Sequence, residues 1–288
     1  MIIGLALAVA CALGTNIAFL LKHRGAVLAP PVRIRHPLRS AADLFRSKSF
    51  ALGWVVAVGA WLLHVAALAL APLSIVQAVL SGGLVFLAVL AERYFGFHLG
   101  RRQWIGLVIT AAGLVVIGLT SGSHAGKPPG YALAALITVE CTVLFVATGL
   151  AAFSSRLGVG PAQEGMLLGV AAGALFGVSD IALKYLTDAV QDGVLELVSP
   201  WSVAALGASV VAFYASAGSL QLGPGVQVIA LTSVAANLTA IIGGILVFRD
   251  PVGAGGVEIT ARMAAFCLVI LGAALIPAPT RATHEPSY

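Results

Sequence analysis

The sequence predicts an all-α polytopic membrane protein of about nine transmembrane helices, built as an inverted structural repeat. Three observations carry that prediction. Of the 288 residues, 60% are hydrophobic and only 9% charged, with a mean hydropathy of +1.03, whereas soluble domains carry about a quarter charged residues. Apolar stretches of about 20 residues, the length that crosses a bilayer as a helix, recur along the whole chain. Two matches also relate a first half of the chain to a second. A β-barrel would need period-two alternation in roughly ten-residue segments, a pattern missing from this sequence.

The spans fall near 2–22, 50–70, 72–92, 102–121, 131–153, 164–186, 200–218, 225–247 and 261–277. The seventh is the weakest, interrupted by Gly and Ser in "ASAGS". Nothing basic precedes Lys22, so the first segment reads as a retained span rather than a signal peptide, despite the lipoprotein-like "LAVAC". The segments form one membrane domain, 1–288: a first half of five spans (1–153), a second half of four (164–277) and a short polar tail (278–288).

Charge sets the orientation. Seven of the 16 basic residues (Lys22, Arg24, Arg33, Arg35, Arg39, Arg46 and Lys48) lie in the 22–49 loop. Placing that loop in the cytoplasm puts Arg93, Arg101, Arg102, Arg156 and Arg281 there too, against Lys127, Lys184, Arg249 and Arg262 outside. This predicts a multi-pass protein of the plasma (inner) membrane with its N-terminus outside and its C-terminus cytoplasmic. Arg249 and Arg262 run against the trend. The net charge of +5 is thereby a topology signal and implies no nucleic-acid partner. Within the loop, "HRGAVLAPPVRIRHPLRSAADLFRSKS", two readings stand: a surface helix from about Ser40 to Lys48 resting on anionic headgroups, or a solvated basic loop. Cys11, Cys141 and Cys267 sit in apolar runs without CxxC spacing and read as buried packing residues.

The repeat rests on two stretches. "CALGTNIAFLLK" of the first span aligns without gaps on "GALFGVSDIALK" of the sixth, Lys22 on Lys184. "LALAPLSIVQ" aligns on "LQLGPGVQVI", Pro72 on Pro224. The copies begin five spans apart, an odd number, so they are inverted in the membrane, as in many secondary transporters.

The Ala-Pro pair entering the third span in "LALAPLSIV", and "LAVLAERYFGFHLGRRQWIGLVITAAGLVVIG" with its Glu92–Arg93 pair, resemble the drug/metabolite transporter (EamA-like) superfamily. The nine spans, the N-terminal "IIGLALAVACALGTNIAFLLKHRG" and the basic first loop are similar to its NIPA-type magnesium-transporter branch. The second half departs from the pattern, with "FRDPVG" where a Glu-Arg pair would stand. The resemblance implies a transporter, with magnesium as one candidate cargo.

A charge at the bilayer centre costs about 2.5–3.5 kcal/mol or more, so each polar residue inside a span asks for a reason. Gly165, Gly169, Gly173 and Gly177 repeat every fourth residue in the sixth span, and Asp180 falls within the same arc. A ridge of small residues lets another helix approach, which turns Asp180 into the bundle. Asn16, near its counterpart in the first span, then flanks a shared central cavity. The competing reading pairs Asp180 with Lys184, four residues on, at the outer interface. Glu140, central in the fifth span with no basic residue within four positions, is either protonated and hydrogen-bonded or a cation or proton site. His64 reads as a satisfied interior group before a ligand. Asn237 and Gln77 are path lining or interhelical ties, and Glu92–Arg93 is a capping pair.

Enzyme chemistry finds no support. The six histidines form neither HxxxH nor HExxH, and there is no phosphate-cradling P-loop. No cofactor is implied. The expected partners are an ion or small-molecule substrate and the bilayer, with a homo-oligomer left open. Three functions remain: a carrier of Mg²⁺ or another divalent cation held at Asp180 and Glu140, a proton-coupled exporter of a small metabolite or drug, and a non-transporting scaffold. Hard cations prefer oxygen ligands, and Mg²⁺ often uses only one or two carboxylates.

Overall fold

In hydrocarbon every backbone N–H and C=O must be satisfied within its own segment, so a chain this apolar folds as helices. The computed structural model describes residues 2–33, 36–71, 73–119, 133–190, 193, 197–248 and 256–275. Among these there is no strand. The helices are α1 (Ile2–Ala26), α2 (Pro37–Phe45), α3 (Lys48–Leu70), α4 (Leu73–Tyr94), α5 (Arg101–Leu119), α6 (Leu133–Phe153), α7 (Pro161–Ala189), α8 (Pro200–Leu222), α9 (Gly225–Leu246) and α10 (Gly256–Ala274). A helix coincides with each expected span. Six of them (α1, α3, α6, α7, α8 and α9) are long and apolar enough to cross a membrane. Pro72, Lys127, the "FRDPVG" stretch from Arg249 and the polar tail lie outside the described residues.

Proline and glycine punctuate the chain. Pro37, Pro161 and Pro200 open α2, α7 and α8, where the missing N–H costs no helical hydrogen bond. Extended backbone at Gly223 and Pro224 separates α8 from α9. The seventh expected span is longer than its Gly/Ser content suggested, because Ser219 turns its hydroxyl back onto the Ser216 carbonyl (2.7 Å) and the helix runs on to Leu222. The loop helix begins at Pro37, three residues before the expected Ser40, and ends at Phe45.

α1 and α3 run antiparallel, and so do α7 and α8. The Ser49 hydroxyl donates to the Leu21 carbonyl (2.8 Å), bringing the start of α3 to the end of α1. The His23 ring meets the Leu220 carbonyl at 3.1 Å, placing the end of α8 at that same level. Gly165 lies against Gly223, which puts the start of α7 there as well. α5 and α10 cross antiparallel through Gly106 against Gly272 and Gly113 against Ala265. α1 packs on α3 and α4, α7 packs on α8 and α9, and α4 packs on both α5 and α9. The outward faces carry large apolar side chains such as Val55, Leu62, Phe145 and Val203, as a lipid-facing surface requires. Cys141 and Cys267 lie on exposed faces of α6 and α10, and Cys11 alone of the three is buried. Apolar flanks in sequence could not separate a lipid-facing position from an interior one.

The glycine ridge of α7 packs on α9. A Cβ at Gly169 would meet the Thr232 hydroxyl (3.2 Å), at Gly173 the Thr232 carbonyl, and at Gly177 the Thr239 side chain and the Ala236 carbonyl (2.9 Å). Gly149, in α6, has nothing within 4 Å of where its Cβ would stand. Gly173→Val is therefore expected to destabilise the bundle by about 1–3 kcal/mol. Gly149→Ala should change stability by less than about 1 kcal/mol, in the stabilising direction. Thermal unfolding of the detergent-solubilised protein measures both.

Candidate functional site

With the ridge seated on α9, the next inward position of α7 is Asp180, which reaches α3 and α4. Its Oδ2 accepts a hydrogen bond from Gln77 Nε2 (2.9 Å). Its Oδ1 lies 3.2 Å from His64 Nε2, and the side chains of Asp180 and His64 are 22% and 8% exposed. The imidazole approaches as a charge partner without hydrogen-bond alignment. Gln77 is buried, and the Ser81 hydroxyl donates to its carbonyl (2.6 Å) one turn on. On the α1 side the Cys11 thiol stands beside His64 and 3.7 Å from the Thr15 hydroxyl. Four helices thus contribute to one polar cluster about 7–8 Å from the middle of α7, at about 1.5 Å rise per residue.

Lys184 does not pair with Asp180. Its ammonium donates to Asp188 Oδ1 (2.8 Å) and to the Leu68 carbonyl (3.1 Å). Leu68 lies in the last turn of α3, where carbonyls lack intrahelical partners, so Lys184 caps that helix. The i,i+4 geometry foreseen in sequence is real, but it runs forward from Lys184 rather than back. Asp188 lies past the expected end of the span, and only a longer α7 brings it into reach.

The other expected site residues divide. Asn16 is buried, and its Nδ2 donates to the Ala12 carbonyl (2.8 Å) and the Gly83 carbonyl (3.0 Å). It ties α1 to α4 six residues beyond Gln77, roughly 9 Å along that helix. Asn16 and Asp180 therefore engage α4 at different levels. Glu140 is 3% exposed, and both its carboxylate oxygens are buried without a partner among the described residues. It shares the buried face of α6 with Leu136 and Ala147, and α6 packs on α7. Asn237 is buried in α9. Glu92 Oε1 accepts from the Leu99 N–H (3.0 Å) and closes the turn after α4, a capping role.

In sequence His64 read as a satisfied interior group with no partner named. Apolar neighbours along α3 made it look isolated, and its partner arrives from a helix more than a hundred residues away. Among the described residues no group of three or more His, Cys, Asp or Glu converges to hold a metal ion. A cavity of about 570 Å³ opens at the basic end between α1 and the turn after α4, lined by His23, Arg24, Tyr94 and Phe97 among others. Asp180 does not line it.

A bundle of apolar helices enclosing a carboxylate fits a membrane transporter. Among curated proteins the chain is similar to the "Probable magnesium transporter NIPA9" of Arabidopsis thaliana, with 25% identity over 286 residues that cover 96% of this chain and 82% of the relative. No family model matches the chain, and no solved structure matches it.

The contacts of Asp180 are separable by double-mutant cycles read from unfolding in detergent. Asp180→Asn and Gln77→Leu should couple by about 1.5–3 kcal/mol, as hydrogen bonds to charged groups do. Asp180→Asn and Lys184→Met should couple by no more than about 0.5 kcal/mol, the size of an i,i+4 pair without a direct bond.

Proposed function

We propose that the chain is a secondary transporter or carrier of Mg²⁺ or another divalent cation, of the drug/metabolite transporter type. The observation that carries this reading is the inward carboxylate of Asp180, engaged from two other helices by Gln77 and His64 and not neutralised by Lys184. The printed name of the relative supports the choice of cargo.

The chemistry is consistent. Mg²⁺ takes oxygen ligands, sheds its waters reluctantly and binds through one or two carboxylates, so it does not need a cage of protein ligands. Asp180 supplies the charge. Gln77 supplies an oxygen once its amide turns over, since the group carries both donor and acceptor ends. A protonated imidazole at His64 holds the carboxylate and a neutral one releases it, so protons compete with the cation for Asp180. Glu140 is a second carboxylate for cation or proton on α6, unpartnered and shielded from solvent.

The architecture in this reading is nine spans arranged as an inverted repeat, with the basic loop cytoplasmic and the N-terminus outside. Packing supports it. α1 holds α3 and α4 as α7 holds α8 and α9, and α3 meets α7 as α8 meets α1. Pro224 marks the α8–α9 junction, and Pro72 occupies the corresponding place in the chain between α3 and α4. The His64–Asp180 contact equally favours a second reading, proton-coupled export of a small metabolite.

Reconstituted vesicles distinguish these. Mg²⁺ flux should fall by on the order of tenfold or more in Asp180→Asn, the loss expected when a charged ligand is removed, and Glu140→Gln should reduce it as well. Unchanged flux in both variants would sink the carboxylate site. Proton-driven solute efflux without Mg²⁺ flux would select the exporter. No transport of any kind, with a stable partner protein recovered instead, would select a scaffold.

A further inference from the structure

The loop between α1 and α3 is held in place by the second half of the chain. Gln221 of α8 accepts from the Val32 N–H (2.9 Å) and donates to the carbonyls of Ala26 (3.2 Å) and Pro30 (3.0 Å). The Ser40 hydroxyl in turn accepts from the Arg33 N–H (2.9 Å) and lies 3.3 Å from the Arg33 carbonyl, which folds the proline segment back onto α2. Between segment and helix lies a cavity of about 330 Å³ lined by Arg33, His36, Arg39, Ser40, Asp43 and Arg46 with Pro30 and Pro31. Its single carboxylate, Asp43, lies 3.6 Å from Arg46. Three guanidinium groups against one carboxylate leave an anion-seeking cavity, and guanidinium geometry suits phosphate.

α2 itself has three stripes. Ser40 and Leu44 are buried against the protein. Arg39, Asp43 and Arg46 form the polar stripe that faces the cavity. Leu38 (84% exposed) and Phe45 (44% exposed) form an apolar stripe left uncovered, and Leu28 (80% exposed) stands uncovered on the chain just before it. Phe45 leads from that stripe into an aromatic group with Phe50 and Trp54 in the first two turns of α3 and Phe213 midway along α8. A helix with one apolar and one cationic face, fixed at the end of a bundle of membrane helices, is built to lie in the interface plane.

We infer that the Arg33–Arg39–Arg46 cavity is a binding site for the phosphate headgroup of an anionic phospholipid, whose acyl chains lie along Leu38 and Phe45. A soluble phosphate would satisfy the guanidinium groups and leave the apolar stripe bare; the lipid satisfies both. The site is separate from the Asp180 cluster and does not depend on what the chain transports.

Native mass spectrometry of the full-length protein in mild detergent tests this, with phosphatidylglycerol, phosphatidylcholine and inorganic phosphate as the three probes. Wild type should retain phosphatidylglycerol in preference to phosphatidylcholine. Arg39→Gln should weaken retention about five-fold, and the triple Arg33→Gln, Arg39→Gln, Arg46→Gln variant about a hundred-fold, at the expected worth of each surface cation near anionic lipid. Leu38→Ser should weaken it with all charges present. Arg39→Lys, which keeps charge and fold, should retain most binding. Equal retention of the two lipids, undiminished binding in the triple variant, or displacement of the lipid by millimolar inorganic phosphate would each overturn the inference.

Discussion

The close seating of α7 on α9 is the contact on which the interior depends. Lipid tails are as apolar as leucine, so two helices in a membrane gain little by hiding apolar side chains from it, and shape becomes decisive. Gly169, Gly173 and Gly177 remove the side chains that would hold the axes apart, and the carbonyls and hydroxyls of α9 fill the space. That seating fixes the rotation of α7. Once it is fixed, Asp180 has nowhere to go but toward α3 and α4, where Gln77 and His64 receive it.

Asp180, half-buried, and Glu140, buried, then differ in kind. Asp180 accepts a hydrogen bond from Gln77, has the His64 imidazole beside it from a second helix and keeps 22% of its side chain accessible, so it is supported and reachable at once. Glu140 has neither support nor access. A carboxylate in that position is costly whenever it ionises, which suits transient occupancy by a proton or cation rather than a standing charge. The chain thus carries one partnered carboxylate and one unpartnered one on helices that pack together.

Much of this was legible in the sequence because membrane helices are simple to delimit. Every expected span met a helix, and four glycines at one spacing were enough to turn Asp180 inward. What could not be read was which partner it would meet. Lys184 was the obvious candidate along the chain, but helical spacing gives two neighbours at four residues, and Asp188 came into reach only because α7 runs on to Ala189. His64 and Gln77 became partners through the packing of three helices, which no local pattern records. Asn16 likewise met a partner that the sequence did not name, the Gly83 carbonyl of α4. A loop helix was one of two readings of the basic stretch, and its cavity arose from a fold-back of the proline segment that only Ser40 and Gln221 reveal.

Gln221 spans the two halves of the chain with a single side chain, gripping the main chain of the first at three points. It behaves as a mechanical linkage. If α8 tilts against α1 during an alternating cycle, the proline segment and the cationic helix behind it must travel with it, ploughing through the headgroup layer. The drag of that layer, and so its lipid composition, would then enter the rate at which the two halves rock.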